Sequence, residues 1–293
     1  MAYSFGSTTA DRVRYVPLSA NIWSSLSTCQ VLGGWFLPTA LTAGRYFFSY
    51  GGTNAGTSGM SVHSTTSELL LKHGRTTSAR TWSTSGANIA VGDWRFLAMM
   101  MVNASSNAGT AVAACFVGDG HSLDEVPLTL VAAGSGNSFS GGNLNIGNEG
   151  IASPVLSFEG LVGIFSAALM PVSGLPSYPT QGIVIGNPPT VPQSSIDFVK
   201  NFVAFPMMRG QPFHRMWDFR PHVVSMGVHV SFAGPLGFAT THGLVYATTS
   251  QVLRVSSAPT IGGTPTYVED APPVPFLLHS PYSDQPLMRR RRL

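Results

Sequence analysis

Two histidines and an aspartate are spaced in a way that could support chemistry. His214, Asp218 and His222 recur every four residues, so an extended strand would place all three side chains on one face. Imidazoles and a carboxylate on one face could bind a metal ion or relay a proton. No cysteine or second carboxylate joins the set, and the residues between its members are typical of a protein interface, namely Arg215, Trp217 and Arg220. Partner binding is therefore the favoured interpretation, and no metal or other cofactor is predicted.

The acidic residues are not spaced for glycoside hydrolysis. A sandwich glycosidase needs two carboxylates flanking the scissile bond, usually at alternate positions of one strand. The adjacent acidic pairs here are Asp124-Glu125 and Glu269-Asp270, and neighbours in an extended chain point to opposite faces. Gly118-Asp119-Gly120 lacks the spaced ligands of a calcium loop and favours a hairpin turn. No Gly-x-Ser-x-Gly motif stands in a triad context, so we predict that the chain is not an enzyme.

Charge is scarce and is concentrated at the C-terminal end. Charged residues make up 10% of the chain, against about 25% in an average soluble domain. The net charge of +3 includes four consecutive arginines, Arg289, Arg290, Arg291 and Arg292, so the rest of the chain is close to neutral. A neutral body argues against a nucleic-acid-binding face and suits a subunit in a dense assembly. The arginine run could be a solvated tail or could bind a partner, and a single short cluster favours a protein over nucleic acid.

The cysteines, the apolar runs and the N-terminal residues indicate whether the chain carries disulfides or is expected to enter or cross a membrane. Cys29 and Cys115 are too few for a disulfide framework and lie among apolar residues, so we expect buried free thiols. The longest apolar runs, 97–102 and 111–117, are far shorter than the roughly 18 residues of a membrane helix. The N-terminus has no basic start followed by an apolar stretch. We therefore predict no signal peptide and no membrane partner.

Short apolar or aromatic runs alternate with Gly-, Ser-, Thr- and Asn-rich turns, a pattern typical of a β-sandwich or barrel. The runs predicted as strands are 35–37, 46–48, 68–72, 94–102, 111–117, 126–132, 144–146 and 161–165. Several of them are continuously apolar instead of alternating, which requires both faces to be covered. A second layer of protein is therefore expected outside the sheet.

The composition changes near Pro171. Prolines recur from Pro171 to Pro192, which predicts a linker because proline blocks both a helix and a central strand. Residues 194–205 could form one helix, ended by Pro206. Ser194 and Asp197 resemble a capping box, and the apolar face of this helix would consist of Ile196, Val199, Phe202 and Val203.

The C-terminal end is predicted to be an arm. Residues 243–255 have the pattern of one or two further strands. Beyond Ser256, seven prolines favour an extended, polyproline-like segment that cannot fold on itself. The predicted organisation is thus a body over 1–170, a docking segment with linker, helix and extra strands over 171–255, and an arm over 256–293.

An ordered series of motifs between residues 30 and 170 resembles the concanavalin A-like, laminin-G-type jelly rolls. The series comprises Gly33-Gly34-Trp35-Phe36-Leu37, Phe47-Phe48-Ser49-Tyr50-Gly51, Gly92-Asp93-Trp94-Arg95-Phe96, Cys115-Phe116-Val117-Gly118-Asp119-Gly120, Leu144-Asn145-Ile146-Gly147-Asn148 and Phe158-Glu159-Gly160-Leu161-Val162-Gly163-Ile164-Phe165 before Ala168-Leu169. The resemblance implies an all-β jelly-roll sandwich, here followed by a mostly irregular, Pro-rich C-terminal extension. Arg95 stands where the family usually has histidine, and the usual calcium ligands are not recognisable, which argues against metal-dependent sugar binding.

The closing segment carries a second resemblance. Thr266-Tyr267-Val268-Glu269-Asp270-Ala271-Pro272-Pro273 is similar to the end of a type of phage-encoded protein in which such a jelly roll precedes a Pro-rich, arginine-ended tail. This resemblance implies a virion structural protein, such as a capsid cement (decoration) protein or a fibre component. The expected partners are then the major capsid protein or other virion subunits, together with further copies of the chain.

A lectin-like receptor- or glycan-binding protein is the alternative. Tryptophans exposed on loops beside Asn and Asp would support it, and the candidates are Trp82, Trp94 and Trp217.

Overall fold

A computed structural model describes residues 2–15, 28–51, 55–64, 67–102, 112–137, 142–151, 155–171, 193–209, 228–231, 244–245 and 260–268. The strands in these ranges are β1 Ala2–Phe5, β2 Arg12–Tyr15, β3 Thr28–Pro38, β4 Tyr46–Gly51, β5 Ser58–Val62, β6 Leu69–His73, β7 Arg80–Thr84, β8 Arg95–Val102, β9 Val112–Gly118, β10 Leu123–Val126, β11 Leu128–Ala132, β12 Asn143–Ile146, β13 Gly160–Pro171, β14 Val228–Ser231, β15 Leu244–Val245, β16 Thr260–Gly262 and β17 Thr266–Val268. The helical elements are α1 Gln193–Val199, a π-helical segment Lys200–Ala204 and α2 Phe205–Met208.

The strands form two antiparallel sheets. Sheet A has the order β10-β9-β8-β3-β13-β1-β17, with β14 paired to β13 and β15 to β14. Sheet B has the order β11-β7-β6-β5-β4-β12-β2-β16. The predicted all-β jelly-roll class is confirmed by these two sheets and the shared core between them.

The core between the sheets is aromatic and aliphatic. Phe36 of sheet A packs edge-to-face on Phe47 and Phe158, with ring centroids 5.2 and 5.7 Å apart. Phe165 of sheet A packs on Phe48 of sheet B at 5.1 Å. The predicted free thiols of Cys29 and Cys115 are confirmed and are fully buried.

The continuously apolar strand β8 is divided between two cores. Leu97, Met99 and Met101 belong to the core between the sheets, whereas Phe96, Ala98, Met100 and Val102 belong to a second cluster on the outer face of sheet A. This division follows from the two-residue period of a strand. The helical segment 193–209 covers the outer cluster, so the predicted second layer of protein is confirmed.

The helix differs from its prediction in three respects. It begins at Gln193, so Ser194 lies within the first turn, and Asp197 accepts a hydrogen bond from the Gln193 side chain. It runs on to Met208 instead of ending at Pro206, because the Phe205 amide donates to the Lys200 carbonyl and Pro206 lies in the first turn of α2, where a missing amide costs little. Phe202 is 52% exposed, whereas Ile196, Val199 and Val203 are buried as predicted.

Part of the predicted arm belongs to the sandwich. Strand β16 pairs with β2 in sheet B, and β17 pairs with β1 in sheet A. Residues 260–268 therefore add one strand to each sheet instead of remaining extended and unpaired. The sequence pattern missed this because it contains no information on pairing between strands about 250 residues apart.

The strand predictions agree with the structure, except that one predicted strand is divided into two. Seven of the eight runs each fall on a single strand. The run 126–132 instead contains the end of β10 and the whole of β11, separated by Pro127. The predicted linker lies outside the described residues beyond Pro171, which is the last residue of β13.

Candidate binding surfaces

A row of polar side chains crosses the outer face of sheet B. Strand pairing places in register Arg14, Asn145, Ser49, Gly59, Lys72 and Thr81. The positions between them along the strands, such as Phe48, Met60 and Leu71, lie in the core, so the row faces away from it. Asn145 and Ser49 are buried, while Arg14, Lys72 and Thr81 are half-buried.

Lys72 of this row forms a polar cluster with Tyr46 and Glu149. The Lys72 ammonium donates a hydrogen bond to the Tyr46 hydroxyl at 3.4 Å. Burial lowers the pKa of Lys72, and the negative charge of Glu149 opposes that change. Burial raises the pKa of Tyr46, and Glu149 raises it further. Both residues therefore experience the field of one carboxylate. We call Tyr46, Lys72 and Glu149 the Lys72 cluster.

The loop after β12 fixes Glu149 in place. The Glu149 amide donates to Oδ1 of Asn148 at 2.8 Å, and its Oε1 accepts from the Val155 amide at 3.1 Å. The Ser49 hydroxyl donates to the Asn148 carbonyl at 2.7 Å. The Lys72 cluster is thus held by sheet and loop together. Tyr46 and Glu149 are buried and Lys72 is half-buried, so the Lys72 ammonium is the group of this cluster that a polar ligand could reach most readily.

Sequence reasoning missed this cluster. Lys72 and Tyr46 lie 26 residues apart, and Glu149 lies on a different connection. The pairing of β12, β4, β5 and β6 and the loop after β12 bring them together.

Two arginines and a histidine flank the connection between β6 and β7. His73 and Arg80 are cross-strand partners, and Arg75 is the second residue after β6. His73 and Arg75 are buried. Burial lowers the pKa of Arg75, and the charge of Arg80 lowers it further. The Arg80 guanidinium lies 5.4 Å from the centre of the Trp82 ring.

The tryptophans do not form an exposed platform. Trp82 points into the core and is 7% exposed. Trp94 is half-buried and packs against the cluster beneath the helix. Two of the three tryptophans named for glycan stacking are therefore engaged in packing, and Trp217 lies outside the described residues.

Several large apolar side chains are about half exposed. They are Val91, Leu130, Val131, Val155 and Phe202, with exposures of 55%, 46%, 54%, 55% and 52%. Two groups stand out among them. Leu130 and Val131 are neighbours on β11, and Phe202 stacks on Phe198 with ring centroids 4.7 Å apart. Contiguous exposed apolar groups are typical of surfaces that become covered in an assembly.

Two sheet edges meet at Pro127 but differ in charge. Strand β10, at the edge of sheet A, carries Asp124 and Glu125. Strand β11, at the edge of sheet B, has the sequence LTLVA, without charge. The carboxylate of Glu125 accepts a hydrogen bond from the Gln193 side chain at 2.7 Å, which ties β10 to the helix.

The site residues predicted from sequence lie outside the described residues. These are Arg215, Trp217, Arg220, the set His214, Asp218 and His222, and the run Arg289, Arg290, Arg291 and Arg292. Within the described part of the chain, no group of three His, Cys, Asp or Glu residues could hold a metal ion. The predicted turn at Asp119 is confirmed, since its Oδ1 accepts from the amides of His121 and Ser122 at 2.9 Å each. No helix within the described ranges is long and apolar enough to span a membrane.

Comparison with known proteins gives distant structural neighbours. No protein-family model and no curated protein matches the chain. Domains LG4-5 of the mouse laminin alpha1 chain are similar to it with a TM-score of 0.36 and 10% identity, over 58% of this chain and 41% of that one. Domain 4 of AbnA, a GH43 extracellular arabinanase from Geobacillus stearothermophilus in complex with arabinotriose, is similar with a TM-score of 0.29 and 14% identity, over 59% of this chain and 66% of that one. The chain spans less than two thirds of either neighbour, and its fold class follows from its own two sheets.

Proposed function

We propose that this chain is a non-enzymatic structural protein of a virion, and that its sandwich docks on capsid or tail subunits as a cement (decoration) protein does. The observation that supports the proposal most is the presence of exposed apolar side chains on a chain with 10% charged residues. They lie on β11 and at Phe202, which stacks on the half-buried Phe198. Covering such groups contributes roughly 25 cal/mol per Å² of buried apolar surface. A surface with few charges adds little repulsion between neighbouring subunits.

The attachment of the C-terminal arm is consistent with a clamp. Strands β16 and β17 join residues 260–268 to both sheets, so Val268 is anchored on the sandwich. A tether fixed at one site raises the effective concentration of its free end at a second site. The arginine run 289–292 would then contact a neighbouring subunit.

Limited proteolysis with mass spectrometry tests the docking role. The isolated chain and the purified particle that contains it are digested in parallel, and cleavage is compared between residues 172 and 293. The proposal predicts cleavage in the isolated chain and protection in the particle. Equal cleavage in both would contradict it, because docked segments are shielded from a protease.

Glycan binding is a second candidate, and the Lys72 cluster favours it. The half-buried Lys72 ammonium, with the buried Tyr46 hydroxyl and Glu149 carboxylate beside it, could hydrogen-bond sugar hydroxyls. A glycan array probed with the native chain and with Lys72→Ala tests this candidate. Hits that disappear in Lys72→Ala would support it, and an array without hits would count against it. The buried position of Trp82 already removes one expected stacking platform.

A further inference from the structure

Strand β11 is an edge with exposed side chains. In the described part of the chain it pairs only with β7, at the end of sheet B. The four residues Thr129–Ala132 are all exposed, Leu130 by 46% and Val131 by 54%. The edge is therefore open to another strand and to its side chains.

This edge lacks the charges that usually guard a sheet edge. Natural edge strands are blunted by charged residues, prolines, bulges or covering segments. Here Pro127 precedes the strand, and a bulge lies between Leu130 and Ala132, so Leu128–Leu130 stay in regular register. No charged residue occurs from Pro127 to Asn143. The neighbouring edge β10 provides the contrast, since it carries Asp124 and Glu125.

We propose that β11 pairs antiparallel with β11 of a second copy of this chain, so that sheet B continues across a two-fold axis. A two-fold axis places a segment opposite itself, so any charge on it would face an identical charge. An uncharged strand avoids that repulsion, and Leu130 and Val131 would be covered by their counterparts.

The size of the edge predicts a reversible association. The strand has five residues, and pairing through it alone would bury less than the roughly 1,600 Å² of a standard stable interface. The dimer should therefore dissociate on dilution. In the dimer Leu130 and Val131 would be covered, which leaves Phe202 and its neighbour Phe198 for docking on another subunit. The test itself needs no virion partner, because it concerns copies of the chain in solution.

Sedimentation velocity on the full chain, from about 1 to about 100 µM, tests the pairing. We expect the wild type to shift from monomer to dimer over this range. Val131→Lys should weaken the dimer at least roughly tenfold, because it would place an ammonium group from each copy at the short pairing edge, close to the axis. The matched control is Val91→Lys, a change of the same type at a position with 55% exposure outside β11. It should dimerise like the wild type, and thermal melts would verify that both variants fold.

Hydrogen exchange localises the interface. Amide exchange of residues 128–132 should slow at the higher concentration in the wild type and in Val91→Lys, but not in Val131→Lys. A wild-type chain that stays monomeric across the range would overturn the inference. A dimer that persists in Val131→Lys without protection of 128–132 would overturn it as well, because the copies would then meet through another surface.

Discussion

The amide of Thr264 donates a hydrogen bond of 2.8 Å to Oδ1 of Asp11, a residue 253 positions earlier in the chain. Asp11 is fully buried and also accepts from the amides of Gly6 and Thr8 and from the hydroxyls of Ser7 and Thr8. One carboxylate therefore holds together the turn between β1 and β2 and the turn between β16 and β17. Gly263 is required there, since it has φ +72° and a Cβ would lie 2.1 Å from Oδ1 of Asp11.

Removing the Asp11 carboxylate should release the C-terminal strands. Asp11→Ala removes the acceptor of five part-buried hydrogen bonds whose donors belong to exposed residues. Water can replace part of this bonding, so we expect a loss of about 1.5–3 kcal/mol. Chemical denaturation measures the loss, and hydrogen exchange should show faster exchange in 260–268. Asp119→Ala is the control, because Asp119 also accepts turn amides but is exposed. If both variants lost equal stability, Asp11 would have no special role.

Acid should weaken the same attachment. Burial raises the pKa of Asp11, but hydrogen bonds from Thr8, Thr264 and Ser7 outweigh it and hold the pKa below its usual value. A carboxyl whose pKa is depressed on folding stabilises the native state above the unfolded value of about 3.9. That contribution disappears as the pH falls through the folded pKa. Exchange in 260–268 should therefore accelerate below about pH 4 in the wild type, and this added acceleration should be absent from Asp11→Asn.

The helix that covers sheet A should stabilise the sandwich. The indole of Trp35 donates to the Met208 carbonyl at 2.9 Å, and the Met208 side chain is fully buried. Met208→Ala creates a cavity and should cost about 3 kcal/mol in free energy of unfolding. Phe202→Ala, on the exposed face of the same helical segment, should cost less than about 1 kcal/mol. Urea denaturation distinguishes them, and equal losses would mean that the helix does not pack as described.

The two thiols should be inert in the folded chain. Cys29 and Cys115 are fully buried, and burial raises the pKa of both. A thiol reacts as the thiolate and needs access to the reagent. We expect an aromatic disulfide reagent to modify neither thiol in the native protein and to modify both in denaturant. Rapid reaction of either one under native conditions would contradict the packing of β3 and β9.

Removing the charge of Glu149 should change the pKa of Lys72. The pKa of Lys72 is lowered by burial and partly restored by Glu149, so Glu149→Gln should lower it further. The chain contains only two lysines, Lys72 and Lys200, and NMR titration with Lys200→Arg as the assignment variant would follow the change directly. If Lys72 titrated in Glu149→Gln as in the wild type, the Glu149 carboxylate would lie too far from the Lys72 ammonium to affect its pKa.

The local pattern of apolar residues was enough to predict most strands and the second layer of protein that covers sheet A. The unbroken apolar run of β8 requires burial of both faces, and the structure divides its side chains between two cores. The course of the helix past Pro206 was not predicted, because the switch to π-helical geometry depends on the packing of Val203, Met207 and Met208 beneath it.

The pairing of distant strands and the candidate sites could not be predicted from local sequence patterns. Nothing around Thr264 indicates that its amide will meet Asp11, since the register of distant strands is set by the whole sheet. The Lys72 cluster is hidden for the same reason. The charged and aromatic residues chosen from sequence, such as Trp217 and Arg289, lie outside the described residues, so their role remains a prediction.

The proposed docking role is tested most directly by rebinding. Particles stripped of the chain are mixed with increasing amounts of the purified protein, and the bound fraction is measured by co-sedimentation. A structural subunit should saturate at a fixed number of copies per particle and should raise the temperature at which the particle falls apart. Absence of binding at saturating concentrations, or binding that free oligosaccharide removes, would contradict a cement role.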